Sequence, residues 1–190
     1  MPFIFMRSLT LCCARGLGAV SGAMLLGDKP FIDDARVWLR RFGGNIYSVL
    51  PYAASAWMGF RMHCLERDDT FTKRKEKLRS VVKMLMKDSD VRELLRFDPP
   101  YPETNIVHGY LDVGYSEATD ALRKTEDETG IRVLYRLRPY ETTAEDDNLG
   151  GCRFELTMGE ANYLIDDELF VKGWKDFASK IERCQRRGLS

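Results

Sequence analysis

At 190 residues, 44% of them apolar and 31% charged, the chain has the composition of a folded globular protein, which excludes intrinsic disorder. Its 29 basic and 29 acidic residues cancel, so no global field draws it to nucleic acid or to an anionic membrane surface. The cysteines (Cys12, Cys13, Cys64, Cys152 and Cys184) are scattered and never form a CxxC pair, and only His63 and His108 could join them. Neither a disulfide framework nor a metal site is expected, and a reducing, cytoplasmic compartment is.

Residues 1–14 are apolar around Arg7 and Ser8 and lack the basic start of a signal peptide, so they read as a strand. The glycine-rich turn Arg15-Gly16-Leu17-Gly18 leads to a second apolar run, Val20 to Leu26, ending at Gly27-Asp28. Two buried strands around a tight turn are predicted. Glycines 16, 18 and 22 give GxGxxxG without a complete βαβ unit, which is not a dinucleotide loop.

A helix follows, with Asp28 as its cap, Pro30 in its first turn, and Phe31, Ala35, Trp38 and Phe42 along one stripe until Gly43-Gly44 stops it. Its other face carries Asp33, Arg36, Arg40 and Arg41. From Tyr47 to about Arg96 the pattern is helical, broken near Asp68-Asp69-Thr70 and ended by Asp98-Pro99-Pro100. Leu78, Val81, Val82 and Leu85 form one stripe, and Val91, Leu94 and Leu95 continue the apolar content. The basic run Lys73 to Lys77 reads as a solvated helix face. No stretch reaches the ~20 apolar residues that a membrane-spanning helix needs.

The remaining chain predicts a small α+β unit: a strand over 104–111, a helix over 116–129 closed by Gly130, a strand over 131–137, an acidic loop over 141–147 and a strand over 152–157. The last helix presents Phe170, Trp174, Phe177 and Ile181 on one face, with Asp166 as its cap. His63, in a helical pattern, and His108, in a strand, read as structural histidines. The chain has no P-loop, HExxH or GxSxG motif. Taken alone, these residues define an α/β chain without an assigned activity.

Several segments together resemble the threonine aldolase and aromatic amino acid β-eliminating lyase family. They are Arg15-Gly16-Leu17-Gly18, Gly22 to Asp28, Phe31-Ile32, Ala35, Trp38 and Arg40-Arg41-Phe42-Gly43-Gly44-Asn45, joined further on by Glu103 to Val107 and Cys152 to Thr157. The resemblance covers most of residues 15–180 and is that of the family's carboxy-terminal part. It implies an aspartate-aminotransferase type of fold, dependent on pyridoxal phosphate. Residues 1–45 would be the tail of the cofactor-binding large domain, 46–97 connecting helices, and 98–190 a small carboxy-terminal α+β domain.

In this family a lysine precedes Gly-Leu-Gly and forms an imine with the cofactor; here that position is Arg15, whose guanidinium stays protonated and cannot replace an imine-forming amine. Arg153 matches the arginine that clamps the substrate carboxylate, and Arg40 a basic position near phosphate and substrate. The family's amino-terminal half has no counterpart in the sequence. The resemblance therefore implies a truncated amino-acid lyase without a complete catalytic set, inactive alone toward β-hydroxy amino acids, or else the product of a gene whose longer transcript supplies the lysine. The alternative from another class is a non-catalytic module that binds an intact homologous subunit as a homo- or hetero-oligomer.

Overall fold

The computed structural model describes residues 8–67, 69–140 and 151–187, without the side chains of Arg15 and of residues 182–187. Residues 1–7, Asp68 and the acidic loop 141–147 lie outside the described residues. The chain divides into two compact units, Met1–Thr70 and Phe71–Ser190.

In the first unit, strands β1 (Ser8–Cys12) and β2 (Ala23–Gly27) pair antiparallel, with Ser8 opposite Gly27 and Cys12 opposite Ala23. The turn expected between them is instead a short helix, α1 (Cys13–Leu17). Gly18, at φ 68°, supplies the left-handed residue that ends it, and Ala19 N–H donates to Cys13 O at 3.0 Å. The expectation that both strands are buried is also corrected, since Leu9, Met24, Leu25 and Leu26 are each at least 40% exposed. Among the described residues, the short α1 and the edge of α2 cover too little of this two-stranded ribbon to bury its faces.

Helix α2 (Lys29–Arg41) starts as its sequence predicts: Asp28 Oδ1 accepts from Phe31 N–H at 3.0 Å, and Pro30 sits in the first turn, where its missing N–H costs nothing. Gly43, at φ 72°, follows its end. The helix buries no residue, and along its apolar stripe Trp38 and Phe42 stack on each other at 5.5 Å. Helix α3 (Leu50–Phe60) runs into a π-helical turn, Arg61–Leu65, that buries His63. At Gly59 a Cβ would stand 2.3 Å from Leu17 O, so only glycine lets α3 approach α1 so closely.

The second unit opens with α4 (Thr70–Leu85), whose stripe of Leu78, Val81, Val82 and Leu85 is fully inside. Helix α5 (Ser89–Leu94) follows, with Asp88 accepting from Val91 N–H at 3.2 Å as its cap. Then come β3 (Leu95–Asp98), β4 (Ile106–Leu111), α6 (Tyr115–Thr129), β5 (Leu137–Tyr140), β6 (Gly151–Thr157), α7 (Glu160–Leu164) and α8 (Asp167–Arg187). The four strands form one antiparallel sheet in the order β3-β4-β6-β5.

Two segments depart from the sequence reading. Leu95 is not the end of a helical run but the start of β3, because Leu95-Arg96-Phe97-Asp98 alternates, with Leu95 and Phe97 buried and Arg96 and Asp98 exposed. The strand expected over 131–137 starts only at Leu137. Residues 131–136 are irregular; Ile131 lies against α8 at Gly173, where a Cβ would stand 2.8 Å from its Cγ2, and Leu134 is buried.

One core unites this unit. Phe154 packs edge-on to Phe97 at 6.3 Å and lies 5.2 Å from Trp174, while Trp174 and Phe177 cross at 5.8 Å. Phe154 is seated over Gly109 on the next strand; a Cβ there would come within 2.1 Å of its ring. Helices α6 and α8 contribute Ala118, Ala121, Trp174, Phe177 and Ile181 to this inner face, and the other face of the sheet carries the exposed residues. Among the described residues no helix is long and apolar enough to cross a membrane.

Candidate functional site

Arg15 lies in the single turn of α1, which is pinned from both ends. Cys13 N–H donates to Gly22 O at 3.0 Å, Leu17 is buried, and Val20 N–H, just beyond, donates to Ser55 Oγ at 2.9 Å. The backbone of position 15 is thus fixed between β1 and α3, while its side chain lies outside the described residues. Arg40 is exposed in the last turn of α2, where a cation complements the helix dipole. The single lysine within residues 1–70 is Lys29, and its ammonium is held 2.5 Å from Asp33 across one helical turn.

Arg153 belongs to the second unit. Strand alternation puts Cys152, Phe154 and Leu156 into the core and leaves Arg153 and Glu155 on the outer face. The register then fixes its neighbours: Tyr110 stands opposite it on β4, Arg138 opposite it on β5, and Arg96 opposite Tyr110 on β3. One row across the outer face therefore reads Arg96, Tyr110, Arg153, Arg138. The Arg96 guanidinium lies 4.4 Å from the centre of the Tyr110 ring, and Tyr140 meets Tyr110 edge-on at 5.3 Å.

Two residues along the strands, on the same face, His108 faces Glu155 at 4.0 Å, and Thr157 Oγ1 donates to Glu155 Oε1 at 3.1 Å. His108 is thus an outer-face residue of the strand. Cys152 is no nucleophile: burial pushes its thiol pKa up, and the thiol donates to Val113 O at 3.3 Å under the sheet. A cavity of about 390 Å³ at the edge strand β3 is lined by Arg92 and Arg96 but also by Glu93 and Asp112, so it offers no net preference for an anion.

No family model matches the chain. Over 131 residues, 67% of its length, it is 28% identical to a low-specificity L-threonine aldolase 2 of Arabidopsis thaliana, and the match covers 34% of that protein. The low-specificity L-threonine aldolase 1 of the same plant is 23% identical over 127 residues, which cover 33% of it. A Listeria monocytogenes structure named as an L-allo-threonine aldolase superposes on 92% of the chain, with a TM-score of 0.69 and 25% identity, over 44% of its own length. The chain is related to threonine aldolases.

An Exiguobacterium structure named as an aromatic amino acid β-eliminating lyase/threonine aldolase has the same fold, with a TM-score of 0.70 over 92% of the chain and 45% of its own. This threonine-aldolase relative therefore spans about a third of the length of the curated proteins it matches and under half of the solved ones. The mixed α/β class expected from its sequence is the observed one.

Threonine aldolases work with pyridoxal phosphate, and at the position that the sequence resemblance gives to the imine-forming lysine the side chain present does not fit covalent attachment of that group. Arg15, which the sequence resemblance sets at that position, carries a guanidinium, and Lys29, the one lysine within residues 1–70, lies exposed at the surface beside Asp33. The sequence resemblance singled out Arg153 but not its register neighbours Arg138 and Arg96. For Arg96 the signal was available in the alternation of Leu95 to Asp98, which places it on the face opposite the buried Leu95 and Phe97, whereas β5, with Arg138 and Pro139 both exposed, carries no such alternation.

Proposed function

We propose that this chain is an amino-acid-binding segment of threonine-aldolase descent that does not itself cleave carbon–carbon bonds. The observation that carries the reading is Arg15. Cleavage of a β-hydroxy amino acid needs an electron sink attached through an amine, and a guanidinium protonated at every accessible pH offers no lone pair for that attachment. The role retained is recognition. Arg153 presents an exposed fork of donors that matches a carboxylate, and Arg40 offers a second cation at a helix end. In this reading residues 1–45 are the tail of a large domain, 46–97 connecting helices and 98–190 the small domain.

The test is an absorbance titration of the purified chain with pyridoxal phosphate, followed by borohydride reduction and peptide mass mapping. The expected result is no imine band, no trapped adduct and no glycine released from threonine. An adduct on Lys29, or cleavage of threonine or phenylserine, would overturn the reading.

A second reading is favoured by the surface of the first unit, where Trp38, Phe42, Tyr47, Leu50 and Trp57 are each more than half exposed. So much apolar area is what an interaction module offers to a partner subunit. Light scattering of the chain, alone and mixed with a full-length threonine aldolase, separates the two. A monomer indifferent to the enzyme excludes this second reading.

A further inference from the structure

Arg138 and Arg153 stand directly opposite each other in the β5–β6 register, both exposed and both on the outer face of the sheet. Like charges placed directly across a strand pair repel, and neither guanidinium has a carboxylate partner among the described residues. Among the described residues of this unit Arg92, Arg96 and Arg136 also lack one, whereas four arginines have one. Arg74 pairs with Glu160, Arg79 with Glu103, Arg123 with Asp120 and Arg132 with Glu126. The nearest outer-face carboxylate, Glu155, is already engaged with Thr157 and lies beside His108.

Aromatic residues stand beside the pair. Tyr110 flanks Arg153, and its ring is gripped between the Arg96 guanidinium and the edge of Tyr140, the residue two positions beyond Arg138 on the same face. Two guanidinium forks facing each other across a strand pair, beside aromatic rings and without a carboxylate partner among the described residues, offer donors to two carboxylates.

We propose that Arg138 and Arg153 form a dicarboxylate site, with Arg153 taking one carboxylate and Arg138 the second. The ligand class is a small molecule with two carboxylates a few bonds apart, such as an acidic amino acid or a dicarboxylic acid. This rests on the reading of Arg153 as the carboxylate-binding residue and adds Arg138 as the residue that sets specificity.

The test is isothermal calorimetry on the full chain at fixed ionic strength, with succinate as the dicarboxylate probe and acetate as the monocarboxylate. Succinate is expected to bind at least ~10-fold more tightly than acetate, the gain of one further charge-assisted contact. Arg138→Gln should bring the ratio to within about twofold while leaving acetate unchanged, and Arg153→Gln should weaken both ligands. Both side chains are exposed, so circular dichroism and thermal melting should show each variant folded. Equal affinity for the two probes, no succinate binding, or an unchanged ratio in Arg138→Gln overturns the site. If Arg153→Gln leaves acetate binding intact while the dicarboxylate preference persists, it is the reading of Arg153 that fails.

Discussion

The two units of this chain carry similar apolar residues and use them differently. In the second, a continuous core runs from Leu78 through Phe97 and Phe154 to Ile181, with Trp174 and Phe177 at 1% exposure. In the first, the core is small: Cys13, Leu17 and Ala19 are buried, whereas Trp38 is 51% exposed and Phe42 81%. An apolar stripe at helical spacing therefore predicts a helix but not its burial. Burial needs a second layer within reach, which α4, α6 and α8 find against the four-stranded sheet and α2 does not.

The largest effect that sharpens this contrast comes from the same substitution in the two units. Trp174→Ala removes a fully buried ring and should cost about 3–5 kcal/mol, read as a loss of denaturation midpoint in the near-ultraviolet signal. Trp38→Ala should change stability by no more than about 0.5 kcal/mol. Equal losses at the two sites would break the distinction.

Next in size is Gly109→Ala, where the new Cβ would meet the Phe154 ring at 2.1 Å and displace it from Phe97 and Trp174. Overpacking of this kind costs about 1–3 kcal/mol and should appear as a lower melting temperature.

The smallest concerns the Asp88–Lys175 pair, which fastens the cap of α5 to α8 at 2.8 Å. The hydrogen bond from Lys175, helped by Val91 N–H, holds the Asp88 carboxyl below its usual range, and Asp88 in turn raises the Lys175 ammonium above its own. A lowered folded pKa contributes stability above the unfolded value of about 3.9, lost as pH falls through the folded one. The raised Lys175 contributes below about 10.4 and loses its share as pH rises through its folded value. Asp88→Ala should therefore cost about 0.5–2 kcal/mol near neutral pH, mostly through the lost cap, and the gap to the parent should narrow in acid. A gap that is constant with pH would separate the cap from the ion pair.

Legibility from sequence followed the same division. Helix α6 ends at Gly130, φ 68°, where the glycine after a polar run implied a left-handed cap, and α8 starts at Asp167 with Asp166 Oδ1 accepting from Glu168 N–H at 2.8 Å. Local signals of this type are written in consecutive residues. By contrast, β3 was hidden because Leu94 and Leu95 extend a helical stripe, and four residues of alternation are too few to outweigh it. The irregular course of 131–136 was hidden because its apolar residues answer to Gly173, distant in sequence. Among the outer-face arginines, Arg153 was singled out by resemblance, whereas the opposition of Arg138 to it depends on strand register, which no single segment encodes.

The strand order β3-β4-β6-β5 also bears on how the molecule is made. Among the described residues strand β5 pairs with β6, which follows it in the chain, so during synthesis Leu137–Tyr140 waits for this partner until Phe154 has emerged. Trp174 and Phe177, which seal the inner face, arrive later still. At the usual pace of about 5–20 residues per second, the interval is a few seconds in which an exposed strand and an open core depend on the nascent chain not meeting its neighbours.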